Sequence, residues 1–261
     1  MSIFQAVIYG IVQGITEFLP VSSTAHLTLL PWILGWKNPG NVFDVALHFG
    51  TAIAVIAFFF KDWIRLVTAG FTKSKTKGGK LFWFLVIATI PGALAGVILD
   101  KYMGIFSSPL LVGILLIVMG IVLYVCDKVG KSDIHLEEVG LKRSILIGVS
   151  QVLAIVPGVS RSGITMSVGR AAGIDRESIA KFTFLLSTPI ILGDALYHAK
   201  DLSSVNIDML PFSVAVVTAA IVGILSIKFL LNYLKTTSFF IFTVYRFVFG
   251  ALIVALFFIR A

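Results

Sequence analysis

Gly10-Ile11-Val12-Gln13-Gly14-Ile15-Thr16-Glu17-Phe18-Leu19-Pro20-Val21-Ser22-Ser23-Thr24-Ala25-His26 decides the fold of this chain. Apolar residues flank the stretch over about 3–35, yet Pro20 breaks the run near its middle. Each half is then too short, at about 1.5 Å per residue, to cross a hydrocarbon core of roughly 30 Å. Such a segment enters a bilayer and turns back as a helical hairpin, because backbone polar groups in lipid must be satisfied internally.

A second apolar region, about 144–173, is broken by Pro157-Gly158 and resembles the first. Gly10 to Gln13, Pro20 and Ser22-Ser23 can be laid over Gly148 to Gln151, Pro157 and Ser160-Arg161-Ser162 with a one-residue gap. Six further stretches are long enough to span: about Val42–Phe60, Leu81–Leu99, Pro109–Val125, Ile179–Tyr197, Leu210–Leu231 and Phe239–Ile259. Three follow each broken region, so the second copy enters from the opposite face. The expected fold is therefore an all-α integral membrane protein with six transmembrane helices and two re-entrant hairpins in an inverted repeat. It forms a single membrane domain over 1–261, with repeat one at about 1–126 and repeat two at about 140–261.

Composition agrees. Hydrophobic residues make up 58% and charged residues 13% of the chain, with a mean hydropathy of +1.01, which excludes an ordinary water-soluble domain. Cys126 is alone, so neither an intramolecular disulfide nor a cysteine metal cluster is available. Met1-Ser2-Ile3-Phe4 lacks a basic n-region and a cleavage site, so the amino terminus is expected to remain in the mature protein. The net charge of +8 does not point to nucleic acid, because the basic residues sit in short loops between apolar segments. Fifteen lie on one side, among them Lys61, Arg65, Lys73, Lys128, Lys142, Arg170, Arg176 and Lys181, against Lys37, Lys101, Lys200 and Arg260 on the other. The crowded side is read as cytoplasmic, with both termini outside.

Glu17 stands in an apolar setting that costs several kcal/mol unless the carboxylate faces a partner or a cavity. Gln13, four residues earlier, shares its helical face, and these oxygens suit a hard ion such as Mg²⁺ or Ca²⁺. Ser23 and His26 are three apart, a nucleophile and base spacing, while Ser22 and Thr24 read equally well as helix caps. Near Pro157-Gly158, a helix start and the Arg161 fork form an anion site to which Ser160, Ser162 and Thr165 add donors. Arg246 within the last span must find an anion or a carbonyl, and is counted among the phosphate contacts. Asp44 with His48, and Asp194 with His198, read as structural or supporting pairs. Asp62, Asp100 and Asp127 mark span ends.

The two motifs together, Gln13 through His26 and Pro157 through Thr165, resemble the undecaprenyl pyrophosphate phosphatase family, also called bacitracin-resistance proteins. Phe43 through Thr51 and Val244 through Phe247 fit as well, so the likeness covers essentially the whole chain. The resemblance implies hydrolysis of a C55 isoprenoid pyrophosphate at the plasma membrane, a divalent metal, and often a homodimer. One departure stands out: Gln13 occupies a position where many members carry Glu, and it cannot act as a base. A polyprenyl-phosphate transporter or flippase is the competing reading, since inverted repeats with broken hairpins are transporter architecture. A phosphatidic-acid-type phosphatase fits poorly, because no histidine follows Arg161 until His198.

Overall fold

The computed structural model describes residues 1–99, 105–199 and 208–260. Asp100, Lys101 and Lys200, and the side chain of His198, lie outside the described residues. The described chain is helical: α1 Ile3–Thr16, α2 Ser23–Leu34, α3 Asn41–Phe58, α4 Phe60–Thr72, α5 Lys77–Leu99, α6 Pro109–Val129, α7 Leu141–Ser150, α8 Arg161–Ala171, α9 Arg176–Ala199, α10 Met209–Tyr233 and α11 Phe240–Arg260. A short 3₁₀ segment, Gln151–Ile155, extends α7.

Five of these, α5, α6, α9, α10 and α11, contain stretches long and apolar enough to cross a bilayer. The bent pair α3 and α4 makes a sixth if it is counted as one crossing. The expected span Val42–Phe60 corresponds to α3, which stops at Phe58; the chain then turns by 69°, and α4 continues through a stretch read from sequence as a basic loop. Phe60, Ile64, Val67 and Phe71 recur on one face of α4, with Lys61 and Arg65 beside them. That is the pattern of an amphipathic helix.

Local chemistry sets the helix ends. Ser2 caps α1 in a reciprocal box with Gln5, Pro109 opens α6, and Gly35 closes α2 in the left-handed conformation at φ 65°. Helix α1 packs on α10 and α3, α7 on α5, and α6 on α11. Close approach is enforced where α6 crosses α11: a Cβ on Gly250 would lie 2.7 Å from the Gly113 carbonyl oxygen. Phe18 and Phe59 both meet the ring of Phe184, at 5.6 and 6.1 Å, which anchors the end of α1 against α3 and α9.

Asp127 does more than mark a span end. Its Oδ1 accepts from Arg170 Nε at 2.9 Å and from Arg176 Nε at 2.8 Å, and its Oδ2 accepts from the Phe239 amide at 3.2 Å. Arg170, expected among the loop cations, is fully buried and also donates to the carbonyls of Ile174 and Gly130, at 2.6 and 2.8 Å. One carboxylate thus ties the ends of α6, α8, α9 and α11, with its charge compensated by two guanidiniums. At the opposite end of α11, Arg260 donates to the last carbonyls of α2, Trp32 and Ile33, at 2.6 and 3.1 Å.

Candidate active site

The turn between α1 and α2 and the turn before α8 lie against each other. Among the described residues the only non-glycine positions with positive φ are Ser22 at 77° and Ser160 at 75°, one in each turn. Each hydroxyl caps the helix that follows, accepting from Ala25 N at 3.4 Å and from Gly163 N at 3.1 Å. Ser22 Oγ also accepts from Gly158 N at 3.2 Å, and Ser162 Oγ donates to Leu19 O at 3.0 Å, so hydroxyls of each turn bind the backbone of the other.

Arg246 completes the join. Fully buried, it donates to Leu116 O at 3.2 Å, Pro20 O at 3.1 Å, Gly158 O at 2.6 Å and Val159 O at 3.2 Å. Expected to meet phosphate, it is placed with its donors on backbone carbonyls: those of Pro20, Gly158 and Val159 belong to the two turns, and that of Leu116 to α6.

In front of the turns lies a small polar cleft of about 40 Å³ lined by Glu17, Ser23, Thr24, His48, Ser160, Arg161 and Ser162, among others. Glu17 is its hub. The carboxylate Oε2 accepts from Ser23 Oγ at 2.6 Å and from Gln13 Nε2 at 3.3 Å, while Arg161 Nη1 lies 3.8 Å from Oε1. Gln13 Nε2 also reaches His48 Nδ1 at 3.2 Å, a contact that leaves the ring proton on Nε2.

Two buried polar atoms here have no hydrogen-bond partner: Arg161 Nη1, a donor, and Gln13 Oε1, an acceptor. The donor calls for an anionic oxygen, and the buried amide oxygen of Gln13 calls for a cation or a donor. Among the described residues no group of three or more His, Cys, Asp or Glu side chains could enclose a metal. One carboxylate with one amide oxygen still fits a hard divalent ion that keeps most of its shell as water and phosphate oxygen, the usual habit of Mg²⁺.

Other expected residues lie off the cleft. Thr165, expected to hold phosphate, is 1% exposed; it donates to Arg161 O at 2.8 Å and accepts from Thr183 Oγ1 at 3.1 Å. His26 does not face Ser23, because its Nδ1 meets Ser22 O at 2.7 Å and its Nε2 meets Tyr245 Oη at 2.6 Å. Its ring stacks on Phe249, with centroids 4.8 Å apart. His48, read from sequence as a structural or supporting partner of Asp44, keeps that neighbour and also lines the cleft beside Glu17. The available signal was an imidazole inside an apolar helix; its spacing from Asp44 points along α3, whereas Gln13 and Glu17 lie across from it.

Comparison with known proteins points the same way. The profile of the family described as Bacitracin resistance protein BacA matches residues 6–252. The Undecaprenyl-diphosphatase of Moorella thermoacetica is 50% identical over 261 residues, all of this chain and all of the relative. That of Pelotomaculum thermopropionicum is 48% identical over 257 residues, 98% of this chain and 97% of the relative. That of Desulforudis audaxviator is 48% identical over the full length of both.

Proposed function

The chain belongs to the Bacitracin resistance protein BacA family, and from that membership we propose that it hydrolyses undecaprenyl or a similar polyprenyl pyrophosphate to the lipid monophosphate and inorganic phosphate. It is a multi-pass membrane protein, and the proposed lipid substrate is what supports a place in the plasma membrane. The observation that carries the reading is the 2.6 Å bond from Ser23 Oγ to Glu17 Oε2, with the unpartnered Arg161 Nη1 3.8 Å from the same carboxylate. Nucleophile, base and phosphate grip thus meet in one cleft.

Ser23 Oγ attacks the terminal phosphorus in line as its proton passes to Glu17. The bond to the bridging oxygen breaks, and the lipid monophosphate leaves with the electron pair. Arg161, with Ser160 and Ser162, holds the non-bridging oxygens, where charge stabilisation counts most. Glu17 passes the Ser23 proton to the departing monophosphate; it then takes a proton from an attacking water and delivers it to Ser23 Oγ as the bond from Oγ to phosphorus breaks and inorganic phosphate leaves. His26 locks the first turn of α2 against α11 and so fixes where Ser23 points. Glu17 and Gln13 Oε1 would hold a divalent ion, Mg²⁺ or Ca²⁺, whose charge offsets that of the pyrophosphate.

The inverted repeat with re-entrant hairpins belongs to the same proposal. It is supported by the short paired helices α1 with α2 and α7 with α8, the matched caps Ser22 and Ser160, and the reciprocal Gly113 and Gly250 contact. A homodimer is part of the reading as well. Transport of polyprenyl phosphate is not favoured, since a flippase has no use for a serine bonded to a carboxylate beside an unsatisfied arginine. The test is phosphate release by the purified protein from C15 and C55 pyrophosphates, with and without chelator. Lipid movement between leaflets with no phosphate released would overturn the proposal.

A further inference from the structure

Beneath the bend at Phe59, away from the cleft, lies a groove of about 540 Å³ walled by Ile56 of α3, Trp63, Ile64 and Val67 of α4, and Pro189 and Leu192 of α9. Its volume is in the range of small-molecule pockets, roughly 300–1,000 Å³. It shares no wall residue with the catalytic cleft. Ile56 lies eight residues beyond His48 on α3, about 12 Å along the axis.

Two features describe its occupant. Helix α4 carries exposed Phe60, Ile64, Val67 and Phe71 with Lys61 and Arg65 on the flank, the make-up of a helix lying in a membrane interface. The charge around that helix is unbalanced: Lys61, Arg65 and Lys181 stand against Asp62, which pairs with Lys181 at 2.8 Å and with Arg65 at 3.5 Å. A lipid chain alone would fill the groove but leave the cations unmatched. An isoprenoid tail likewise carries no charge.

We propose that the groove under α4 binds an anionic glycerophospholipid of the surrounding bilayer. An acyl chain lies along Ile64, Val67 and Leu192, and the phosphate sits by Lys61 and Arg65. Basic pockets beside membrane helices recognise such headgroups in this way.

The test uses the full chain reconstituted in phosphatidylcholine vesicles, with either phosphatidylglycerol or phosphatidylcholine carrying brominated acyl chains as a fluorescence quencher. The chain holds four tryptophans, so subtracting the signal of Trp63→Phe isolates Trp63. Brominated phosphatidylglycerol is expected to quench that signal at a mole fraction about tenfold lower than brominated phosphatidylcholine. The double variant Lys61→Gln, Arg65→Gln, altered only at exposed positions, should bring the two curves together while phosphate release in detergent is unchanged. Coincident curves for the unaltered chain would overturn the proposal. So would relief of quenching by C55 pyrophosphate, which would assign the groove to the substrate tail. If Trp63→Phe does not purify, native mass measurement makes the same contrast: phosphatidylglycerol retained by the unaltered chain and lost from the double variant supports the site, and equal retention overturns it.

Discussion

Ser23 Oγ and Glu17 Oε2 are 2.6 Å apart, joined across the turn between α1 and α2. A hydroxyl held at that distance already has a base for its proton. Ser23→Ala and Glu17→Gln are each expected to lower kcat by about 10² to 10⁴ with little change in KM, read as phosphate release. Full turnover by Ser23→Ala would discard the covalent serine and leave a water held on Glu17 as the attacking group.

Arg161 differs from Ser23 in acting through geometry as well as charge. Arg161→Lys keeps the cation but loses the planar fork that matches two phosphate oxygens. The expected loss in kcat/KM is about 10² to 10³, with weaker inhibition by inorganic pyrophosphate in parallel. A lysine variant with unaltered inhibition would remove Arg161 from the phosphate site.

Arg246 should behave oppositely. Arg246→Met leaves the turn carbonyls of Pro20, Gly158 and Val159 without their donors, at about 1–3 kcal/mol for each buried group left unsatisfied. Thermal stability in detergent should fall sharply, while the fraction that stays folded keeps its affinity for inorganic pyrophosphate. A stable variant with lost pyrophosphate affinity would return Arg246 to the phosphate contacts.

Gln13→Glu puts a second carboxylate beside Glu17, where the amide Nε2 now donates. The divalent ion concentration for half-maximal phosphate release should drop, and chelator should still abolish activity. An unchanged metal titration would place the ion elsewhere.

Ser22 permits a test of strain. At φ 77° any residue with a Cβ is disfavoured by about 1–3 kcal/mol, yet Ser22 spends its hydroxyl on two amides. Ser22→Ala loses both bonds and keeps the strain, whereas Ser22→Gly loses the bonds and is relieved of it. Glycine should therefore melt higher than alanine, and the reverse order would show that the backbone at 22 relaxes freely.

Much of the architecture is legible in the amino-acid sequence. Apolar runs longer than a bilayer needs declare their helices, and Pro20 and Pro157 mark where two regions break, because each removes a donor and fixes its own φ. Glu17, Ser23 and Arg161 are legible as polar groups without shielding in apolar surroundings. The outcomes for Thr165 and Arg246 are not, since residue type states what a side chain can donate and not which way its helix face turns. Arg246 could equally have met an anion or a carbonyl, and the choice depends on Pro20 and Gly158, distant in sequence. Helix α4 escapes a sequence reading because Lys61 and Arg65 suggest a loop, although its apolar residues keep the helical period. His48 reaches Glu17 only through the packing of α3 on α1.

The clasp that joins the two turns comes from α11, so the segment bearing Glu17 emerges early in synthesis yet waits for a partner more than 220 residues downstream. A nascent chain at that stage has its carboxylate and serine but no guanidinium to hold Pro20 and Gly158 together. The reaction centre is thus finished near the end of translation, and ribosome-bound intermediates that lack α11 should be inert toward the lipid pool through which they are threaded.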